Sequence, residues 1–364
     1  MSKAAELAAL IGSGQAQGNK NLITNGAMNV AQRSTSATGV GASTAYNAQD
    51  RWKFFTIGSA AARWTQSVST DVPASSTFTT SLKLDCTTAS GTVGSDDRQQ
   101  LMQPIEAQNL QPLRYGSSAA KKVTLSFWVK SSVTGKNYCT FYHDDGTRFT
   151  YKSYTVDSAD TWEFKTLTFS GDTASAITND NGAGLNIIWM LYLGSDYTSA
   201  TDGVEDTWAA WNSGNYDQFN GQVNNASSTD NNWYLCGVQL EIGDVATAFE
   251  HEDFGTTLAK CQRYFFKFTG DSGAVFYRDY YSTDTFVVAG YFPTTMRAAP
   301  TISTTVGVAR TGGTAFDYIN LAATPTLAAQ DTDGVLIYRG VSSSARTYLY
   351  LGSPSNSVDC SAEL

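Results

Sequence analysis

Two histidines, His143 and His251, are the only imidazoles in this 364-residue sequence. A Ser-His-Asp mechanism would need one of them as its base, but neither lies near a G-x-S-x-G or an H-E-x-x-H motif. His143 stands beside Asp144 and Asp145, a group that could bind a metal ion, although a hairpin tip with a structural histidine explains it equally well. We therefore expect no catalytic site, no metal site and no cofactor.

Carboxylates are a second candidate chemistry, because a pair held ~5–10 Å apart can hydrolyse a glycosidic bond. No sequence motif places two of them across a cleft, and a structural role in docking a connector competes for Glu241 and Glu250. A hydrolase is therefore the weaker hypothesis, and we expect a protein that is not an enzyme. The available residues are Glu163, Glu205, Asp206, Glu241, Glu250 and Glu252.

Aromatic side chains are the third candidate, because their rings can stack on the apolar C–H faces of sugars. The segment 196–232 departs from strand periodicity, and its aromatic residues lie among Asn, Ser, Gly and Asp. Long loops of this kind often carry function. The alternative is that these rings cover a core or a subunit contact. The predicted glycan-binding residues are Tyr197, Trp208, Trp211 and Tyr216.

Charge and composition limit the partners. The formal net charge is −9 and the pI about 4.7, which argues against nucleic acid because phosphate binding needs clusters of Lys and Arg. No apolar run approaches the ~20 residues that span a bilayer, and no convincing signal peptide is present. The five cysteines lack C-x-x-C spacing, which favours reduced, buried thiols.

The elements that must position these residues are strands. From residue 21 onward, short segments rich in β-branched and aromatic residues alternate with Gly, Asp, Asn and Ser, a pattern typical of an all-β fold. One clear alternation runs through 123–130, and Asp144-Asp-Gly146 predicts a hairpin turn. A further strand is predicted over 23–31. A second β region is expected after residue 268.

Two short helices are predicted. Residues 2–11 form an amphipathic pattern with Leu7, Leu10 and Ile11, which we interpret as an anchor to another protein or the seed of an oligomer, since so short a helix is marginal alone. A terminus that orders only weakly is the alternative. The second helix is predicted over 256–267. Its apolar stripe could bury against partner chains, or could plug the two β domains together in a monomer. The predicted oligomer-interface residues are Leu258, Cys261, Phe265 and Phe268.

Two segments carry a family resemblance. The sequence NLITNGAMNVAQRSTS…AQDRW near the start and GVQLEIGDVATAFEHEDFGTTLAKCQRYFFKF at 237–268 resemble segments of bacteriophage tail-fibre and appendage proteins. The resemblance implies a virion location, attachment to a host-surface glycan and a homotrimer. A capsid fibre or decoration protein is the alternative, and a polysaccharide depolymerase is a weaker one.

A second resemblance concerns the fold. The order of NLITNGAM, VTLSFWVKSS, TWEFKTLTFSG, LNIIWMLYLG and WYLCGVQLE is similar to that of carbohydrate-binding modules, which implies a jelly-roll β-sandwich. We therefore expect an N-terminal anchor helix and linker at 1–20, the sandwich at 21–250, a connector with one short helix at 251–268, and a C-terminal β domain at 269–364 as the distal tip.

Overall fold

The chain divides into two units in a computed structural model. The first comprises residues up to Phe254 together with Leu364, and the second runs from Gly255 to Glu363. The structure describes residues 20–199, 204–212, 217–269, 277–282, 285–305, 307–312, 315–320, 326–330, 334–340, 347–349 and 357–364. The predicted N-terminal helix, with Leu7, Leu10 and Ile11, lies outside these residues, as does Tyr216.

The first unit is a sandwich of two antiparallel sheets, which confirms the predicted all-β fold. One sheet has six strands. In the order of the sheet they are β1 (Ser36–Val40), β4 (Arg63–Ser69), β5 (Ser81–Thr88), β13 (Asn232–Ile242), β7 (Val123–Ser131) and β10 (Glu163–Phe169).

The facing sheet has seven strands. In order they are β12 (Ala209–Ala210), β9 (Arg148–Val156), β8 (Gly135–His143), β11 (Ala183–Leu193), β6 (Arg98–Glu106), β3 (Lys53–Ile57) and β2 (Ala45–Tyr46). The hairpin between β8 and β9 turns at 144–147, where the Thr147 N–H donates to the carbonyl of Asp144 over 3.1 Å. The predicted Asp-Asp-Gly turn is thus confirmed.

Helices are few in the described residues. They are a 3-10 helix at Ala107–Leu113, α1 (Ser195–Thr198) and α2 (Phe254–Gln262). None of the helices found in this part of the chain is long and apolar enough to cross a membrane.

The second unit is also built from strands, which form three small antiparallel sheets in the described residues. The first sheet contains β14 (Phe265–Thr269), β23 (Ser357–Ser361) and β17 (Thr301–Thr305). The second contains β15 (Tyr277–Ser282), β16 (Thr285–Tyr291), β21 (Gly334–Gly340) and β20 (Thr326–Gln330). The third contains β19 (Ala315–Asn320), β18 (Gly307–Gly312) and β22 (Thr347–Leu349).

The core of the sandwich is filled from alternate strand positions. Along β7, residues 123, 125, 127 and 129 are fully buried apolar side chains, as the alternation predicts. Trp52 and Phe127 pack against Trp189 with ring centroids 5.6 and 5.5 Å apart. All five cysteines are buried and none forms a disulfide, as the sequence predicts, and burial raises the pKa of Cys236 to about 12.

The strand predicted over 23–31 is wrong. This segment is a series of turns in which Asn25 and Met28 have positive φ values of 57° and 61°. The Asn25 side chain holds the turn, because its carbonyl oxygen accepts from the N–H groups of Asn29 and Val30 at 3.0 Å. Ile23, Met28 and Val30 are nevertheless buried, so an apolar pattern alone did not distinguish a strand from a packed loop.

The helix predicted over 256–267 is wrong at both ends. It spans Phe254–Gln262, and the chain then enters β14, which pairs with β23 from Ser357 to Ser361. Phe265 and Phe268 therefore lie on a strand, because a partner almost a hundred residues away supplies a full antiparallel ladder. These two residues and Cys261 are already buried within the chain, whereas Leu258 is half-buried. Their role as an oligomer interface stays a prediction.

A clasp closes the sandwich between its first residues and β13. We define it as Asn21, Gln239, Glu241 and Glu250. The Asn21 carbonyl oxygen accepts from the N–H groups of Ile23 and Leu240, each at 3.0 Å, and its amide donates to the carbonyl of Val238 over 3.1 Å. The two segments that carry the appendage resemblance are thus hydrogen-bonded to each other.

The connector after β13 is held by the same clasp. Buried Glu241 accepts from the N–H and the hydroxyl of Thr247 at 2.8 and 2.7 Å, and Gln239 accepts from the N–H of Glu250 at 2.8 Å. The carboxylate of Glu250 in turn accepts from the N–H of Asn21 at 2.9 Å. Both glutamates therefore have the structural role that we set against a catalytic one.

We predict that Asn21→Ala lowers the free energy of unfolding of the first unit by about 1–3 kcal/mol, because two backbone N–H groups lose their acceptor. Urea unfolding followed by tryptophan fluorescence measures this, since all eight tryptophans lie between residues 52 and 233. Asn220→Ala, at an exposed loop position, should stay within about 0.5 kcal/mol of the unmodified protein. Equal midpoints for the two variants would show that the clasp contributes little.

Candidate functional site

A cleft lies on the outer face of the seven-stranded sheet. Its cavity volume is about 310 Å³. It is lined by alternate residues of four neighbouring strands, which point away from the core because strand side chains alternate between the two faces. The lining residues are Lys53, Phe55, Arg98, Gln100, Met102, Thr140, Tyr142, Asp144, Ala183, Asn186, Ile188, Met190, Trp211 and Leu364.

One wall of the cleft comes from the insertion between β11 and β13. Tyr197 and Phe219 of the insertion are buried on the outer face of the sheet, in a second apolar cluster with Met102, Tyr138 and other sheet residues. Trp211 packs edge-on against Phe149 at 4.9 Å and Tyr142 at 6.0 Å. The insertion therefore covers part of the sheet and leaves the remainder open as the cleft.

The structure separates the four aromatic residues that were predicted to bind glycan. Trp211 lines the cleft, and Tyr197 lies behind it, 8% exposed. Trp208 lies elsewhere: it packs against the main core and donates its indole N–H to the carbonyl of Ser170 over 2.7 Å. For Trp208 the alternative interpretation, that the ring covers a core, describes its position.

Arg98 is the most buried charged group of the cleft, with 8% of its surface exposed. Its guanidinium carbon lies 5.1 Å from the ring centroids of Tyr197 and Trp211 and 5.4 Å from that of Phe55. Burial lowers its pKa from the ordinary value. The Arg98 Nε, the Gln100 Oε1 and the Thr140 Oγ1 are buried without a hydrogen-bond partner among the described residues.

Asp144 lines another part of the cleft, and the pKa of its carboxyl group is raised. Its carboxylate accepts a hydrogen bond from the amide of Asn186. Burial raises its pKa to about 6, a hydrogen bond from Asn186 opposes that rise, and the charges of Asp145 and Lys53 raise and lower it respectively. This carboxyl group changes its ionisation near neutral pH, where it could accept or donate hydrogen bonds to a ligand.

His143 does not line the cleft, although the adjacent Asp144 does. It is fully buried on the opposite side of β8, where its Nδ1 lies 3.2 Å from a carboxylate oxygen of Asp172. Arg148 donates to the same oxygen over 2.9 Å. Asp145 instead caps a loop by accepting from the Thr178 N–H. The side chains of the sequence His-Asp-Asp thus diverge, and the described residues hold no group of three metal-ligating side chains.

Sequence reasoning missed the floor of the cleft. The residues of this floor lie on strands whose sequence pattern is dominated by the buried face. They are Phe55, Arg98, Gln100, Tyr142 and Asn186. The available signal was the opposite phase of the same alternation: outward positions of β6 and β11 carry Arg, Gln and Asn beside Met and Ile. A surface position with both polar and apolar neighbours is typical of a binding face.

We predict that Asp144→Asn stabilises the first unit at pH 7.5 by about 1 kcal/mol and has little effect at pH 4. The raised pKa means that the folded protein binds the proton more tightly than the unfolded chain, so ionisation costs stability as pH rises from about 4 to about 6. Each unit of pKa corresponds to about 1.4 kcal/mol, and partial exposure reduces the effect.

The measurement is urea unfolding of the variant and the unmodified protein at both pH values. Asp96→Asn is the matched control, because that carboxylate is exposed and its replacement should give no pH-dependent difference. A stabilisation by Asp144→Asn that is the same at pH 4 and pH 7.5 would contradict the assignment.

No family model and no curated protein matches the sequence. The enzymatically active domain of tailspike protein 4 from bacteriophage CBA120 is 15% identical over 61% of this chain and 21% of that one, with a TM-score of 0.33. The alignment thus spans about a fifth of the tailspike domain.

Two carbohydrate-binding modules are also similar. A family 11 module from Clostridium thermocellum, solved with a β-1,3-1,4-mixed-linked tetrasaccharide, is 11% identical over 60% of this chain and 99% of that one, with a TM-score of 0.26. The module TmCBM61, solved with β-1,4-galactotriose, is 9% identical over 62% and 100%, with a TM-score of 0.30. At this level of similarity, neither the ligands nor the activities of these proteins follow for this chain.

Proposed function

We propose that the first unit binds a glycan in the cleft of the seven-stranded sheet. The observation that carries the proposal is the combination of Trp211 at one wall with hydrogen-bonding groups on the floor that have no partner among the described residues. Sugars present apolar C–H faces together with hydroxyl groups, so they need both kinds of contact in one place.

The positions of the side chains indicate which of them would contact the apolar faces of a sugar and which its hydroxyl groups. Trp211, Tyr142 and Phe55 line the cleft and offer aromatic surface for sugar rings. Gln100 and Thr140 supply an amide oxygen and a hydroxyl that hydrogen-bond to nothing described. Buried polar atoms of this kind cost free energy in the unbound protein, and ligand hydroxyls would satisfy them.

A depolymerase is the second candidate, and one observation favours it. The pKa of Asp144, about 6, suits a general acid that protonates a leaving oxygen. Glycoside hydrolysis generally needs a second carboxylate across the bond. Among the described lining residues Asp144 carries the single side-chain carboxylate, so binding accounts for the cleft with fewer assumptions.

The wider role that we propose is that of a virion appendage, a homotrimeric tail fibre subunit that attaches to the host surface and is held to another virion protein by its N-terminus. A capsid fibre is the alternative. The support is the sequence resemblance at 21–52 and 237–268. Residues of both segments form hydrogen bonds of the clasp. The resemblance therefore supports a shared fold rather than a particular receptor.

The appendage proposal predicts three copies per fibre on the particle. Electron cryomicroscopy of virions labelled with an antibody fragment against the C-terminal unit would locate and count them. Label on three-fold fibres of the tail supports the proposal, and label on the capsid selects the alternative. Particles without the protein, or with single copies, would refute the proposal.

We predict that Trp211→Ala weakens glycan binding by about tenfold or more, because a lost stacking contact of about 1.4 kcal/mol corresponds to a factor of ten. The measurement is an array of host-surface glycans followed by calorimetry on the strongest binder. Trp162→Ala is the matched control, since Trp162 is also half-buried and hydrogen-bonds to Asp71 outside the cleft.

The same samples distinguish the two candidates. Incubation of the bound polysaccharide with the protein should release no new reducing ends. Release that is lost in Asp144→Asn would establish the depolymerase instead. Equal loss of binding in Trp211→Ala and Trp162→Ala, or binding unaffected by either, would contradict the proposal that the glycan binds in the cleft.

A further inference from the structure

Arg98 lines the cleft, and no carboxylate is among the groups that perturb its pKa. The side chain extends from the first residue of β6 and is 8% exposed. Its Nε is buried without a hydrogen-bond partner among the described residues. Buried charges in proteins are ordinarily paired, so this one needs a specific explanation.

Aromatic rings account for part of that explanation. Phe55, Tyr197 and Trp211 surround the guanidinium at 5.1–5.4 Å, and such contacts attract a cation through the ring quadrupole. The faces of these rings accept no strong hydrogen bonds. A guanidinium has five N–H donors, whose geometry matches a carboxylate in a two-point contact.

The other charges of the cleft do not neutralise Arg98. Asp144 accepts from Asn186 and interacts electrostatically with Lys53 and Asp145. The groups that interact electrostatically with Arg98 are Tyr197 and Tyr142, both of them neutral phenols near pH 7. The lining of the cleft in the described residues also includes Leu364, whose main-chain oxygen accepts from the Lys53 Nζ over 2.9 Å. The side chains of this lining thus hold two cations, Lys53 and Arg98, and one carboxylate, Asp144.

We propose that the glycan bound in the cleft carries an acidic sugar, a uronic or ulosonic acid, whose carboxylate pairs with Arg98. This proposal rests on the proposed glycan-binding function and names the class of ligand. The chain as a whole is acidic, with a formal net charge of −9, but exposed charges farther away than ~8 Å are largely screened at physiological ionic strength. A glycan with spaced carboxylates is therefore compatible with it.

The test is calorimetry on the full chain with oligogalacturonate, oligomannuronate, hyaluronan oligosaccharide and sialyllactose, each paired with its carboxyl-reduced, neutral counterpart. We expect at least one acidic probe to bind about tenfold or more tightly than its counterpart, since hydrogen bonds to charged groups are strong. That preference should weaken as salt rises from 50 to 500 mM, a readout that needs no variant.

Two variants assign the preference to Arg98. Arg98→Gln should bring the affinity ratio between the acidic probe and its neutral counterpart to about one, and Arg98→Lys should leave an intermediate ratio, because lysine keeps the charge without the two-point geometry. Lys122→Gln, at an exposed position before β7, removes the same charge and should keep the full ratio.

Three other outcomes would contradict the acidic ligand class, the role of Arg98 or the glycan site itself. If neutral glycans bind as tightly as acidic ones and Trp211→Ala weakens both, the glycan site stands and the acidic class is refuted. If the acidic preference survives in Arg98→Gln, or falls equally in Lys122→Gln, Arg98 is not the partner. If no glycan of either kind binds, the proposed function fails together with this inference.

Discussion

The alternation of side chains across the seven-stranded sheet is the constraint on which both the core and the cleft depend. In β6, Leu101 points into the sandwich and Gln100 into the cleft; in β11, Trp189 points inward and Ile188 outward. A shift of one residue in either strand would exchange the two sets. The buried face therefore fixes the register, and the register places the outward groups.

The insertion between β11 and β13 converts that outward face into a site. An open sheet face offers a flat surface, whereas Tyr197 and Phe219 bury part of it and leave Trp211 as a wall. The same packing surrounds Arg98 with rings before any ligand arrives. A side chain held in place in this way loses little conformational entropy on binding, so the second apolar cluster prepares the cleft as well as covering the sheet.

The sequence predicted the features that depend on local chemistry. The alternation through 123–130 and the turn at Asp144–Gly146 follow from neighbouring residues alone. The structural role of Glu241 in the connector was predicted from its place in the segment that resembles phage appendage proteins. Trp211 could be proposed because it lies among polar residues in a long loop. Asn25, by contrast, turns an apolar segment into a packed loop through its own hydrogen bonds, which an apolar pattern does not show.

Features that depend on pairing between strands far apart in the chain could not be predicted from the sequence. Phe265 and Phe268 fit a helical stripe but pair with a strand at 357–361, and nothing near them indicates that partner. The cleft floor is similar, because Arg98 and Asn186 line one cleft only when β6 and β11 become neighbours. Sequence spacing places residues along one element, whereas the order of strands decides which elements share a face.

The most direct test of the glycan cleft is a titration followed by the eight tryptophan indole N–H resonances in a ¹H–¹⁵N spectrum of the full chain. Addition of the strongest-binding oligosaccharide should move the Trp211 resonance. The resonances of Trp128 and Trp162, which belong to the six-stranded side of the sandwich, should remain in place. Movement of Trp128 or Trp162 with an unchanged Trp211 would contradict the account.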